Sequence, residues 1–376
     1  MRIAIVHDWL VGYAGGERVL EQMIACYPSA DLFTIVDFLP PDERGFLGGR
    51  PVTTSFVQHL PAARRHYRSY LGLMPLAVEQ FDLSGYDVVL SSSHAVAKGV
   101  ITGPDQPHIS YVHSPMRYAW DQQHQYLRQT RTDAGIKGAY ARWQLSRLRI
   151  WDARTANGVD AFIANSHYIA RRIRKAYRRE AEVIAPPVDT ELFHPADRRG
   201  EAFLVASRQV PYKRVDLVAA AFARMPDLRL VISGSGPEHA RVRAAAGGAP
   251  NIRFLDPCPP AEMAARMQEA RGFVFAGEED FGIVMAEALA SGTPVIALDR
   301  GGAREIVTGA DAAAPTGVLF KEQTVEGVIA GVRDFIASEA RIDRSACRMA
   351  GERFSVPRFR RDFVAAVERA VAASRR

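Results

Sequence analysis

Residues 272–297 read GFVFAGEEDFGIVMAEALASGTPVIA, and this stretch decides the fold. It opens on a short apolar run, Gly272 to Phe275, of strand length and bounded by a loop. Glu278, Glu279 and Asp280 fill that loop, and Gly282 lets the chain turn tightly. A helical stretch follows from Ile283 to Gly292, which reads as a C-cap, and a second apolar run, Pro294 to Ala297, comes directly after. Strand, helix, strand in this order is a crossover unit, which pairs its strands in parallel.

The same alternation extends outward on both sides. Ala202 to Ala206, Leu228 to Ile232 and Ile252 to Leu255 are short apolar runs separated by helical stretches. Nearer the start come residues 2–6, Asp31 to Val36, Asp87 to Leu90, His108 to Val112 and Ala161 to Ala164. Helical periodicity from Glu17 through Ile24 puts Val19, Leu20, Met23 and Ile24 on one face. Between the two series, Ile184 to Pro195 holds Pro186, Pro187 and Pro195, which break helix and central strand alike. The expectation is an α/β chain with two doubly wound, Rossmann-like domains, 1–185 and 196–350, facing across a cleft. A basic amphipathic helix, Arg358 to Arg376, lies in a final segment, 351–376, expected to cross back to the first domain.

At 376 residues the chain is comfortable for two domains. Its 48% hydrophobic and 24% charged residues exclude wholesale disorder. The formal charge is +6, but the basic residues are almost all Arg, the lysines being Lys98, Lys137, Lys175, Lys213 and Lys321. That bias makes basicity weak support for nucleic acid, and none is expected as a partner. Cys26, Cys258 and Cys347 are scattered, which excludes a disulfide scaffold and suggests no zinc. The apolar start, Ile3 to Val6, is too short for a secretory signal, and no run reaches membrane-spanning length. The chain reads as cytoplasmic, with peripheral membrane contact open.

Candidate site residues lie where strands end. Glu279 and Glu287 flank the start of the Ile283 helix, whose free N–H groups and positive dipole end suit an anion. One carboxylate can meet sugar hydroxyls and the other ribose hydroxyls; alternatively the acids only favour the helix terminus. Arg208 and Lys213, in SRQVPYKR after the strand Ala202 to Ala206, can converge on a diphosphate or form a solvated basic loop. Gly234 lies in a Gly-x-Gly turn, a weak signal, and Phe254 ends another strand. In the first half, Gly15 and Gly16 let backbone approach a ligand, yet the Gly-x-Gly-x-x-Gly fingerprint and the P-loop are both missing. His113 sits at a strand end, where it either bonds a sugar hydroxyl or is a satisfied structural histidine.

With Gly15-Gly16-Glu17-Arg18, His113, Asn165-Ser166, Arg208 with Lys213, and the Glu279/Glu287 pair in this order, the chain resembles family-4 retaining glycosyltransferases of the GT-B fold. The resemblance covers nearly the whole length. The wording VHDWL at 6–10, HSPMRYAWD at 113–121 and VPYKRVD at 210–216 looks like a bacterial mannosyltransferase-type branch of surface-polysaccharide synthesis. It implies a nucleotide-diphosphate sugar donor, GDP-mannose by branch, and a saccharide acceptor, lipid-linked. Arg208 and Lys213 would hold the diphosphate, and Glu287 the ribose. Glu279 and the backbone of Phe281, Gly282, Ile283 and Val284 would hold the transferred sugar. His113 would face that sugar and Gly16 the phosphate or acceptor side. Transfer would retain anomeric configuration by a front-face route, with no enzyme nucleophile, metal or cofactor, and domain closure would exclude water. Two departures stand out: Ser207 replaces a common glycine, and Asp256-Pro257-Cys258-Pro259-Pro260 replaces a glycine-containing loop near the nucleobase.

Two basic clusters invite an anionic leaflet: Arg64, Arg65 and Arg68 beside Tyr67 and Tyr70, and Arg171 to Arg179 on the stretch His167 to Arg179. The plain alternative is a solvated face in an Arg-rich chain. A sugar-nucleotide epimerase of the same architecture, or a non-catalytic scaffold of a polysaccharide assembly complex, are the competing functions; a pyridoxal phosphorylase is disfavoured, because Lys213 already has a phosphate role.

Overall fold

A computed structural model describes residues 1–130, 132–196 and 199–374. The chain divides into two compact units, Met1–Pro186 with Phe359–Arg376, and Pro187–Arg358. The final two arginines, Arg375 and Arg376, fall outside the described residues.

The first unit is built on seven strands: β1 Ile3–His7, β2 Asp31–Thr34, β3 Val52–Thr54, β4 Val88–Ser93, β5 His108–Val112, β6 Ala161–Ala164 and β7 Glu182–Val183. They lie in the order β3-β2-β1-β4-β5-β6-β7, every pairing parallel. Every residue of β1, β4 and β5 is buried, as expected for a parallel sheet covered on both faces. On one face Val19, Leu20 and Met23 of the helix Gly15–Cys26 pack with Ile5 and Leu90. Phe359, Phe363 and Val367 of the helix Val356–Ser374 enter that same core, and Arg360 donates to Gln22 at 2.8 Å. The first helix begins at Gly15, two residues before the expected Glu17, because Ala14 caps it and donates its N–H to the Glu17 carboxylate at 3.0 Å.

The second unit has six strands: β8 Phe203–Ala206, β9 Leu230–Ser233, β10 Ile252–Leu255, β11 Gly272–Phe275, β12 Val295–Leu298 and β13 Gly317–Phe320. Their order is β10-β9-β8-β11-β12-β13, again all parallel. In each sheet the strand order reverses once, between β1 and β4 and between β8 and β11. Loops leaving the carboxyl ends of those neighbours diverge to opposite faces, and the crevice so opened is where open α/β sheets bind ligands. Among the described residues no helix is long and apolar enough to cross a membrane.

One buried ion pair ties the first unit together. Lys98 and Asp152 are both almost wholly inaccessible, with Nζ 2.9 Å from Oδ1. Trp120 and Tyr177 donate to the other carboxylate oxygen at 2.7 and 2.9 Å, and Lys98 also donates to Thr155 Oγ1 at 2.9 Å. Burial pulls the Lys98 pKa below its ordinary value, against the opposing pull of Asp152.

Candidate active site

The reversal point of the first sheet is occupied by a polar cluster. Asp8 follows β1 and is fully buried. Its two oxygens accept the N–H groups of His94, Ala95, Val96 and Ala97 at 2.5 to 2.9 Å, and the His94 ring lies 3.0 Å away. Burial alone would raise its pKa, but His94 and these donors outweigh that and hold the carboxyl ionised well below the usual range. Beside it, Ser92 Oγ bridges two imidazoles, His7 Nδ1 at 3.0 Å and His113 Nε2 at 2.8 Å. The Glu17 carboxylate stands 3.6 Å from His7 Nε2. Asn165 fixes the next link by donating to the His113 carbonyl at 3.0 Å.

Burial, with His94 and His7 adding to it, lowers the His113 pKa to about 3, so its ring is neutral at physiological pH. A neutral imidazole can accept from or donate to a sugar hydroxyl without adding charge. Gly16, in the first turn of its helix, faces this histidine: a Cβ there would lie 3.9 Å from His113 Nε2. Gly15 opens that helix. The structure therefore brings Gly16 and His113 together and adds His7, Asp8, Glu17, Ser92 and His94. Among the described residues, no group of three or more His, Cys, Asp or Glu is arranged to hold a metal ion.

The same burial makes stability depend on pH. His108, inside β5, bonds Ser91 Oγ at 2.8 Å, and burial lowers its pKa to about 4. Both rings stay neutral when folded, while an unfolded chain protonates them below about 6.5. The unfolded state thus binds more protons, so stability is complete above that pH and is lost progressively as pH falls toward 4. For His108 alone the loss approaches ~3 kcal/mol. Urea unfolding at pH 7.5 and pH 5 should show it, and His108→Gln should flatten the difference.

In the second unit the reversal point between β8 and β11 carries Arg208, Lys213, Glu279 and the stretch from Phe281 to Glu287, whereas Gly234 and Phe254 follow or lie on strands farther out. Val210 to Lys213 turn tightly after β8, and the loop after β11 brings Glu279 Oε1 within 3.2 Å of Lys213 Nζ. The two loops touch closely at Gly277, where a Cβ would meet the Lys213 Cα at 2.9 Å. Gly282 sits at φ +96°, a left-handed conformation that glycine adopts freely, and caps the helix Ile283–Ala290. The first N–H groups of any helix lack intrahelical acceptors, so Ile283 and Val284 present donors at this tip. Phe281 is buried with its ring 5.3 Å from Phe354, which leaves its backbone as the part that can meet a ligand. Glu287 is buried in the second turn of the helix.

Arg208 is exposed, five residues before Lys213, and its side chain takes no ion pair among the described residues. Gly234 ends β9's turn at φ +117°, its carbonyl accepting from Gln209 at 2.8 Å. Phe254 lies on the edge strand β10 under the Arg243 guanidinium, 4.7 Å away, and beside His239. Lys213 and Glu279 are thus in direct contact, while Phe254 stands two strands from β8.

A glycine pair missed at the sequence level completes the loop. The Gly302 N–H donates to the Glu279 carbonyl at 2.9 Å, and any Cβ there would overlap the Phe281 carbonyl. The signal was available, since Asp299-Arg300-Gly301-Gly302 directly follows an apolar run. Gly302→Ala should displace the Glu279 loop, lower the melting temperature and weaken any anion bound there, as differential scanning calorimetry with and without nucleotide can check.

A groove of about 540 Å³ in the second unit is lined by Arg199, Gly200, Arg229, Arg271 and Glu339 among others. It lies at the opposite edge, where β8 begins, away from the strand ends that carry the chemistry.

Known proteins align with both units. A D-inositol 3-phosphate glycosyltransferase from Nocardioides sp. is 32% identical over 196 residues, covering 42% of this chain and 43% of that protein. Its counterpart from Streptomyces bingchenggensis is 34% identical, covering 41% of each. The chain therefore spans less than half the length of these curated relatives. Among solved structures, Anabaena HepE in complex with UDP superposes with TM-score 0.72 at 17% identity, covering 98% of this chain and 100% of that one. The lipopolysaccharide outer core galactosyltransferase WaaB superposes at 0.64 and 16% identity, covering 98% and 99%. Residues 13–192 match the family described as Glycosyltransferase Family 4, and residues 193–354 the one described as Glycosyl transferases group 1. The chain is a GT-B protein in which a glycosyltransferase family 4 domain is followed by a glycosyltransferase group 1 domain.

Proposed function

We propose that the chain is a metal-independent, retaining glycosyltransferase moving mannose from GDP-mannose onto a lipid-linked saccharide during cell-surface polysaccharide assembly. The observation that carries the reading is the Lys213–Glu279 contact at the sheet's reversal point, beside a helix tip. Lys213 exchanges its carboxylate partner for the donor diphosphate, joined by the amides after Gly282 and by Arg208 from the exposed side. Glu279 is then released to accept sugar hydroxyls, and Glu287 takes the ribose.

In the transfer step the bond from the anomeric carbon to the phosphate oxygen breaks, and its electron pair stays on the departing diphosphate. Lys213 and the helix amides stabilise that charge as it grows. The acceptor oxygen bonds the anomeric carbon on the same face, and its proton passes to the leaving phosphate oxygen.

A uridine donor is the second reading, favoured by the HepE structures holding UDP and UDP-glucose. The relatives named as inositol 3-phosphate glycosyltransferases likewise make that acceptor a candidate. A thermal-shift panel of GDP-mannose, UDP-glucose and ADP-glucose with EDTA present separates the readings, since a ligand of the native state raises the melting temperature. GDP-mannose should give the largest shift. A shift from UDP-glucose alone replaces the donor, and none from any of the three defeats the reading.

A further inference from the structure

The helix Gly135–Thr155 in the first unit carries an exposed stripe that the proposed chemistry leaves unused. Ile136, Tyr140, Trp143, Arg147, Ile150 and Arg154 follow spacings of three, four and seven, so they share one face. Ile136 is 90% exposed, Tyr140 60%, Trp143 54% and Ile150 68%, which is unusual for side chains of this size on one helix. The helix is held from behind: Leu148 is buried, Trp151 donates to Glu79 at 2.7 Å, and Asp152 is bonded to Lys98. The stripe is therefore presented on a fixed element. Beside it, Gly72 packs against the Gln144 side chain, and Leu73 and Leu76 add 42% and 51% exposed apolar surface.

Charge identifies the occupant. Exposed residues of the helix include Lys137, Arg142, Arg147 and Arg154 and no acid; Asp152, its one carboxylate, is buried. A second copy would bring the same cations face to face and be repelled. An anionic surface that also accepts apolar and aromatic side chains fits both features, and Tyr and Trp belong at such an interface. By contrast, Ile169, Ile173 and Tyr177 of the helix His167–Tyr177 are all buried, and Arg172 and Arg174 are paired with Asp121 and Glu180. That basic helix offers charge without an apolar edge.

We propose that this stripe docks the chain on an anionic phospholipid bilayer, with Ile136, Trp143 and Ile150 entering the interface and the flanking cations meeting the headgroups. The inference rests on the proposed function only in that a lipid-linked acceptor would be met there; the surface is argued from its own side chains.

The test is co-sedimentation with vesicles of phosphatidylcholine alone or mixed equally with phosphatidylglycerol. Wild-type chain should bind the mixed vesicles, release at high salt, and show a blue shift in tryptophan emission that Trp143→Phe removes. Ile136→Asp with Ile150→Asp should weaken binding at least ~10-fold, and Arg147→Gln about fivefold. Arg171→Gln with Lys175→Gln on the other helix should change it less. No binding by wild type, or stripe variants that bind as wild type does, would overturn the proposal. So would a dimer, seen by light scattering without vesicles, that the stripe variants dissociate. Donor thermal shifts on the same variants keep the two readings apart: lost vesicle binding with intact donor shifts touches only the stripe, and vesicle binding without any donor shift touches only the enzyme reading.

Discussion

Asp152→Ala should destabilise the first unit by about 3–5 kcal/mol, one of the two largest single-residue effects expected in this chain. The cause is what remains after the change. Lys98 would stay 1% exposed with its charge uncompensated, and Trp120 and Tyr177 would lose their shared acceptor. An uncompensated buried cation costs several kcal/mol, far more than the net value of the intact pair. Replacing both partners, Lys98→Met with Asp152→Leu, should therefore recover much of the loss. Urea unfolding followed by circular dichroism reads both; a single-variant cost below ~1 kcal/mol would mean that water reaches the pair.

Lys213→Ala carries the second large effect, on catalysis. Removing one preorganised group that stabilises a growing negative charge typically costs 10²–10³ in rate, or about 3–4 kcal/mol. The expected result is a fall of that size in kcat/KM for transfer, with a smaller loss of stability than in Asp152→Ala because Lys213 and Glu279 keep 17% and 16% of their side-chain surface exposed. Arg208→Ala should act mainly on KM, since an exposed arginine meets the diphosphate in ground and transition states alike. Glu279→Gln keeps the side chain's shape and loses its charge; it should lower kcat more than KM. Unchanged kcat/KM in Lys213→Ala would remove the lysine from the mechanism.

Much of the fold could be read from sequence because parallel strands are buried on both faces and announce themselves as short apolar runs. The runs ending at Val6, Val112 and Phe275 all became strands near the expected limits. Boundaries were less legible. Gly15 and Gly16 looked like loop because glycine is a poor helix residue, yet Ala14 and Glu17 cap the helix around them. The Lys213–Glu279 contact joins residues far apart in sequence, and only the parallel order β8-β11 makes their loops neighbours. His113 is recognisable at a strand end and Asp8 falls in the VHDWL stretch, whereas Ser92 and His94 carry no signal along the chain. Their grouping depends on β1 lying between β2 and β4, and no spacing along the chain encodes that. Lys98 is one of only five lysines in the sequence, but its role is fixed by a carboxylate on a distant helix.

The central claim is that a sugar-nucleotide diphosphate is held between Lys213 and the helix tip at Gly282. A crystal structure of the chain soaked with GDP-mannose or UDP-glucose tests it most directly. The account predicts phosphate oxygens within ~3 Å of Lys213 Nζ and of the amides following Gly282, with Glu279 turned toward the sugar. Nucleotide density instead in the groove lined by Arg199, Arg271 and Glu339, with the Lys213–Glu279 pair undisturbed, would contradict it.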